Sequence, residues 1–203
     1  DYLTFKTNIG KIIINWEVTK NKLNKVFMKQ VSPIIKPFTG STLELCSILG
    51  IDINDINNNF PIRLAYTGNW DLLVPVKSFE IVKKIYPNMK KLKEHNLNYK
   101  VTSTHIFSFL GGEIVTRNFG PAVGIDEDPV TGSTTGALAG YFLFEKILPW
   151  DNHYFVVKQI NSFNRDGLLD VKIKANKKLS IYVGGSAVCS LVGYLNIDKG
   201  MVK

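Results

Sequence analysis

The chain has 203 residues, 45% of them hydrophobic and 11% aromatic, which supports one large or two small globular domains and excludes a wholly disordered chain. No apolar run approaches the ~20 residues of a membrane-crossing helix, and no secretory signal is visible, so a cytoplasmic protein without a membrane partner is expected. The net charge of +8 does not point to nucleic acid, because only Arg63, Arg117 and Arg165 are arginines, the lysines are spread along the chain, and the densest patch, Lys83-Lys84 through Lys90-Lys91-Lys93, reads as solvated helix faces.

The opening alternates on a period of two: Leu3, Phe5 and Thr7, a turn at Asn8-Ile9-Gly10, then Ile12 and Ile14. That pattern predicts two strands joined by a tight turn, and Lys25–Lys29 predicts a third. Pro33 and Pro37 mark a loop, after which Ser41-Thr42 can cap a short helix, Leu43 to Leu49, that Gly50 stops. Asp52 to Asn59 reads as a loop or a loose helical turn. Ile62–Tyr66 and Leu72–Val76 read as strands around a turn at Thr67-Gly68-Asn69. Ser78 caps one helix and Asn88 another that reaches His95. Strands follow at Tyr99–Thr104, Ile106–Leu110 and Glu113–Asn118, then a long helix at about 133–146. Alternation at 155–159, 168–173, 179–184 and 186–197 closes the chain, with Gly184-Gly185 as a bend or bulge.

This order does not repeat as strand–helix–strand, so a doubly wound parallel sheet is disfavoured. An α+β fold fits better, with a mostly antiparallel sheet curled around helix 133–146. That helix is apolar all round, hence buried, and Gly136 and Gly140 lie four residues apart where a neighbouring segment could approach closely. Cys46 and Cys189 sit among apolar neighbours and read as buried thiols. His95, His105 and His153 match no metal spacing, and no metal is expected.

The most informative stretch runs from Arg117 to Gly136. Asp126, Glu127 and Asp128 stand directly before Pro129, and a Thr-Gly-Ser turn then opens the apolar helix. Proline pushes Asp128 toward extended backbone, so its carboxylate lies beside the helix start. A helix beginning near Ser133 aims its unpaired N–H groups and positive dipole end at the loop. The result is an anion site with an acid/base candidate at its rim. Helix capping by Asp128, Thr131 and Ser133 is the commoner reading of such residues on local sequence alone. Arg117 can pair with Glu127 or Asp126 to hold the loop, and Asn69 can serve either a turn or a ligand.

The run Arg117-x-Phe119-x-Pro121-x-x-Gly124-Ile125-x-Glu127-Asp128-Pro129-Val130-Thr131-Gly132-Ser133 resembles the signature of the phenazine-biosynthesis (PhzF-like) isomerases, within the diaminopimelate-epimerase-like superfamily. Weaker matches keep the family's order at Phe5–Ile14, at Thr67-Gly68-Asn69 with Leu72-Leu73-Val74, and at Val183-Gly184-Gly185-Ser186-Ala187-Val188 with Gly193. The resemblance implies two similar α+β halves, each a curled sheet around a central helix, with the active site between them. Residues 1–66 would then be the remainder of the first half, 67–187 the second half, and 188–203 a closing strand returning to the first.

It also implies a cofactor-independent isomerase moving a proton at carbon in a small carboxylate, and a homodimer. Asp128 takes the acid/base position, in place of the cysteines of related epimerases. Gly132, Ser133, Thr131 and Asn69 hold the substrate, with Thr131 equally suited to be the cap; Arg117 and Glu127 support the loop. The family's upstream glutamate and Gly-His pair are not found in this sequence. The expectation is therefore that the chain begins partway through the first half and is catalytically silent by itself. Two rivals stand beside this reading: a non-catalytic small-molecule-binding protein of the same fold, and, less favoured, a basic nucleic-acid-binding domain.

Overall fold

The structure, a computed structural model, describes residues 2–8, 10–175 and 178–194. Its strands are β1 (Tyr2–Thr7), β2 (Gly10–Thr19), β3 (Lys22–Lys29), β4 (Ile34–Pro37), β5 (Arg63–Tyr66) and β6 (Trp70–Val76) in the first part of the chain. Then come β7 (Ser103–Leu110), β8 (Glu113–Gly120), β9 (Ile125–Asp128), β10 (His153–Gln159), β11 (Gly167–Ala175) and β12 (Leu179–Gly185). The helices are α1 (Thr42–Leu49), α2 (Phe79–Lys84), α3 (Met89–Asn98) and α4 (Gly132–Phe144). All strands join one sheet in the order β1-β2-β3-β12-β11-β10-β8-β7-β6-β5-β4, with β9 paired to β8 off this path. Pairing is antiparallel except at β6–β7 and β8–β10.

Strand alternation gives the sheet two different faces. On β6, Leu72, Val74 and Val76 point to one side, where they pack with α1, α2 and α3 through Leu45, Leu49, Val82 and Leu92. Leu73, Phe107, Val157, Val171 and Ile181 point to the other side and surround α4. Ten of the residues of α4, Thr134 to Leu143, are buried, which a helix with no polar stripe requires. The helix touches β4, β5 and β6 as well as β11 and β12, so the sheet curls around it without closing.

The link from β3 to β4 spans the open side. Gln30 N–H donates to the Ile181 carbonyl at 2.8 Å, and the segment then crosses α4 at Gly136 and Gly140. A Cβ on Gly136 would lie 2.7 Å from Gln30 Cγ, and one on Gly140 would overlap the Pro33 ring. The close neighbour of these glycines is thus a connecting segment.

The caps follow the sequence closely. Ser41 accepts from Glu44 N–H and Gly50, at φ 72°, ends α1 in the left-handed conformation. Ser78 and Asn88 cap α2 and α3 through Ile81 N–H and Lys91 N–H.

Several expectations are corrected. Ile34–Pro37 is an edge strand, where missing proline N–H groups are tolerated. Tyr99 belongs to the end of α3, and a single strand runs from Ser103 to Leu110. Glycine at 184 serves close packing: a Cβ there would overlap the Val26 carbonyl across the β3–β12 pair. Residues 186–194 form no strand, and Val188, Leu191 and Tyr194 are exposed. Their alternation finds no free edge on β12, which is already paired with β3 and β11. Cys189 is exposed with them, and Cys46 is buried. The turn residue Ile9 and residues 195–197 of the predicted last strand lie outside the described residues.

Gly140→Ala should destabilise the fold by ~1–3 kcal/mol, the usual cost of overpacking a tight contact. Gly132→Ala should be nearly neutral, because a Cβ there meets only Val183 Cγ1 at 4.0 Å. Thermal melting of the two variants checks this; equal melting temperatures would mean that the 30–33 segment does not pack tightly on α4.

Candidate active site

The start of α4 opens into a cavity of about 350 Å³ lined by Asn69, Asp71, Asn118, Asp128, Thr131 and Ser133 among others. It lies where the sheet face that encloses α4 changes from apolar to polar. Along β6, β7, β8 and β10 the inward positions nearest the helix start are Asp71, Ser103, His105, Asn118 and Gln159, each at most 5% exposed. The same alternation that buries Leu73 and Phe107 farther along the helix buries these polar groups here, so each needs a partner.

The acidic motif is itself a strand, β9, paired with β8 so that Asn118 stands opposite Asp128. Directly opposed residues share a face, and both line the cavity. Glu127, one position earlier, turns to the other face. There it accepts from Arg117 Nε at 2.7 Å and from the Ser162 hydroxyl at 2.6 Å. The Arg117 guanidinium also donates to the carbonyls of Val82, Lys83 and Ile85 at the end of α2, and it stacks on Phe119. Burial alone would push the Glu127 carboxyl up, but the bonds from Arg117 and Ser162 outweigh it and hold the carboxyl below its ordinary value. Asp126 is exposed.

Asp128 accepts from the Thr131 hydroxyl at 2.6 Å. Thr131 occupies the N-cap position of α4 but makes no side-chain cap bond, since its hydroxyl is turned to Asp128. Gln159, which the sequence reading missed, fastens both ends of the loop. Its Nε2 donates to the Asp128 carbonyl at 2.7 Å, and its Oε1 accepts from Thr131 N–H at 3.0 Å. Thr67 adds a clamp through its hydroxyl to the Ser133 carbonyl at 2.6 Å. The N–H groups of Gly132, Ser133 and Thr134 are left without acceptors among the described residues. Such groups, at the positive end of a dipole, suit an anion.

The site residues named from sequence therefore separate. Asp128, Thr131, Ser133 and Asn69 face the cavity, with Asn69 exposed at its rim. Gly132 sits between two lining residues, and a Cβ there would meet only Val183 Cγ1 at 4.0 Å. Arg117 and Glu127 lie behind the strand, away from the cavity. Asp71, Ser103 and Asn118 were not foreseen. The signal was present: each is a polar residue at an inward position of an otherwise apolar strand.

These features define a class: an α+β protein with a sheet curled around a central helix and a polar cleft at the helix start. Solved structures share that fold, including a hydroxyproline epimerase from Agrobacterium vitis, at a TM-score of 0.60 and 12% identity over 91% of this chain and 56% of that one. The chain belongs to the family described as phenazine biosynthesis-like protein, whose model matches residues 1–193.

The PhzF-family phenazine biosynthesis protein of Bacillus anthracis superposes with a TM-score of 0.79 and 29% identity, covering 91% of this chain and 65% of that one. Among curated relatives, the Bacillus subtilis protein named uncharacterized isomerase YfhB is 32% identical over 85% of this chain and 60% of its own length. The Escherichia coli protein named uncharacterized isomerase YddE is 28% identical over 81% and 58% respectively. This chain thus spans about three fifths of the length of those two relatives.

Arg117→Met should cost ~3–5 kcal/mol at neutral pH, because it strands a buried carboxylate. The sign with pH follows from the depressed Glu127 carboxyl. Its contribution is present above the unfolded value of ~4.3 and is lost as pH falls through the lower folded value. The gap between wild type and variant should therefore narrow on acidification below about pH 4 in denaturant melts. A gap independent of pH would show that the pair does not act through charge.

Proposed function

We propose that this chain carries the acid/base loop of a PhzF-like isomerase that moves a proton at carbon in a small carboxylate, using its own side chains. The observation that carries the reading is the convergence, on one cavity, of the Asp128 carboxylate and the uncapped first turn of α4. The helix start holds an anionic oxygen of the substrate, and Asp128 exchanges the proton beside it. Removing a proton next to a carboxylate builds negative charge on the oxygens. Fixed N–H dipoles aimed at that charge stabilise it without reorganising. Thr131 and Gln159 hold Asp128 in place, so that little ordering is left to the moment of reaction. Isomerase names among the relatives support the reaction class.

The test is incorporation of deuterium from heavy water into a panel of small carboxylates by the whole protein. Asp128→Asn should lower the exchange rate by ~10²–10⁴-fold while leaving melting temperature near that of wild type. Undiminished exchange in this variant would remove Asp128 from the chemistry. Gly132→Val should weaken carboxylate binding far more than folding, as its branches crowd the first-turn N–H groups between Thr131 and Ser133 while a Cβ itself is tolerated. Unchanged affinity in calorimetric titration would overturn the anion assignment.

A further inference from the structure

Beneath the cavity a chain of buried polar groups runs from Asp71 to His105, and its hydrogen atoms can be counted. Ser103 Oγ lies 2.7 Å from Asp71 Oδ1 and 2.8 Å from Asn118 Oδ1. His105 Nδ1 lies 3.1 Å from the same Asn118 oxygen. A serine hydroxyl has one proton to give, yet both of its neighbours here are oxygens. One of the two contacts must receive its proton from the other side.

Two arrangements satisfy that count. In the first, the Asn118 amide is turned over, with its nitrogen donating to Ser103 and to His105 Nδ1. The imidazole proton would then sit on Nε2, which is buried without a partner, leaving an unpaired donor at full desolvation cost. In the second, His105 Nδ1–H donates to Asn118 Oδ1, and the partnerless Nε2 is only a lone pair. Ser103 donates to Asn118, and the proton between Ser103 and Asp71 belongs to Asp71. The second arrangement is the cheaper one. Burial acts in the same direction, pushing the Asp71 carboxyl up against the pull of the Thr102, Ser103 and Thr134 donors. It also pushes His105 down to about 4, so the ring is neutral.

We propose that Asp71 is a positioning residue, held in the folded protein as a neutral carboxylic acid, and that through Ser103 it locks the Asn118 amide with its nitrogen facing the cavity as a donor to a substrate carboxylate oxygen. The amide oxygen of Asn118 is engaged twice, its nitrogen has no partner among the described residues, and the residue is 3% exposed yet lines the cavity. It stands opposite Asp128 in the β8–β9 pair. A ligand held by the helix start and by Asn118 is thereby set against the Asp128 carboxylate. The inference rests on the reading of this cavity as the active site, and it adds the group that selects for an anionic oxygen.

The only other ionisable residues facing this chain, among those described, are Asp128 across the cavity and neutral His105 at its far end. The sign with pH is therefore set by Asp71. A carboxyl that keeps its proton when folded contributes stability below its unfolded value of ~3.9 and loses it as pH rises toward the folded value. Asp71→Asn copies the neutral acid, its amide nitrogen donating to Ser103 and its oxygen accepting from Thr134. In melts from pH 4 to 7 the variant should gain on wild type, by up to tenfold in the folding constant per pH unit within the window. Infrared spectra at pH 7 should show a protonated carboxyl band that Asp71→Asn removes. Asp71→Leu, which cannot donate, should lose the stability that Asp71→Asn keeps. A variant that falls further behind wild type as pH rises, or a missing band, would mean an ionised Asp71 and overturn the proposal.

The binding arm uses benzoate as the probe, against sodium chloride at equal ionic strength, read by nitrogen–proton NMR. Benzoate should shift the side-chain amide of Asn118 together with the backbone amides of Gly132 and Ser133, and Asn118→Asp, which replaces that amide by a carboxylate, should abolish the two backbone shifts. Shifts at Gly132 and Ser133 with none at Asn118 would defeat this proposal and leave the active-site reading standing. A titration that moves none of them would defeat both.

Discussion

The structure turns on the burial of α4. A helix whose whole circumference is apolar cannot lie on a surface, so the sheet must wrap it and leave only its ends accessible, the N-terminal one opening into the cavity. At that end the helix presents backbone N–H groups that no side chain caps, and the enclosing strands meet them with polar residues. The cleft is thus a consequence of the core. The same alternation that supplies Leu73 and Phe107 to the middle of α4 supplies Asp71 and His105 to its start.

The acidic motif shows how strand geometry assigns different work to adjacent carboxylates. Because β9 pairs with β8, Glu127 and Asp128 leave the backbone on opposite sides. Glu127 is paired with Arg117 in a nearly closed site, and that guanidinium also gathers the carbonyls ending α2. Asp128 faces the cavity, braced by Thr131. A buried pair of this kind adds little net stability but is costly to break. Its effect is to pin β9 to α2 and so fix the strand from which Asp128 projects.

Much of this was legible in the sequence, for identifiable reasons. Alternation located β1, β2, β5 and β6, and side-chain caps located α1, α2 and α3. β4 escaped because Pro33 and Pro37 resemble loop residues until the strand is known to lie at an edge. β9 escaped because three successive carboxylates look like a solvated turn, and only the register with β8 shows otherwise. For the site, the linear motif exposed Asp128, Thr131 and Ser133, which are close in sequence. Asp71, Asn118 and Gln159 come from separate strands that the curl brings together. A run of residues could show each only as a polar interruption in an apolar strand. That pattern gives an inward side chain but not the neighbour it meets.

The same architecture explains why the cleft can be both costly and rigid. Burying Asp71, His105, Asn118 and Gln159 together works against folding unless their bonds are made, and His105 Nε2 and Thr116 Oγ1 still lack partners. The strands that carry those groups also carry Leu73, Phe107 and Val157, whose burial against Ala137, Leu138 and Tyr141 supplies the compensating apolar contact along one continuous helix. Opening the polar network would mean shifting α4, and shifting α4 would expose its apolar middle. The network is therefore backed by a core whose residues do not line the cavity, while the rim at Asn69, Val123 and Ile125 is exposed.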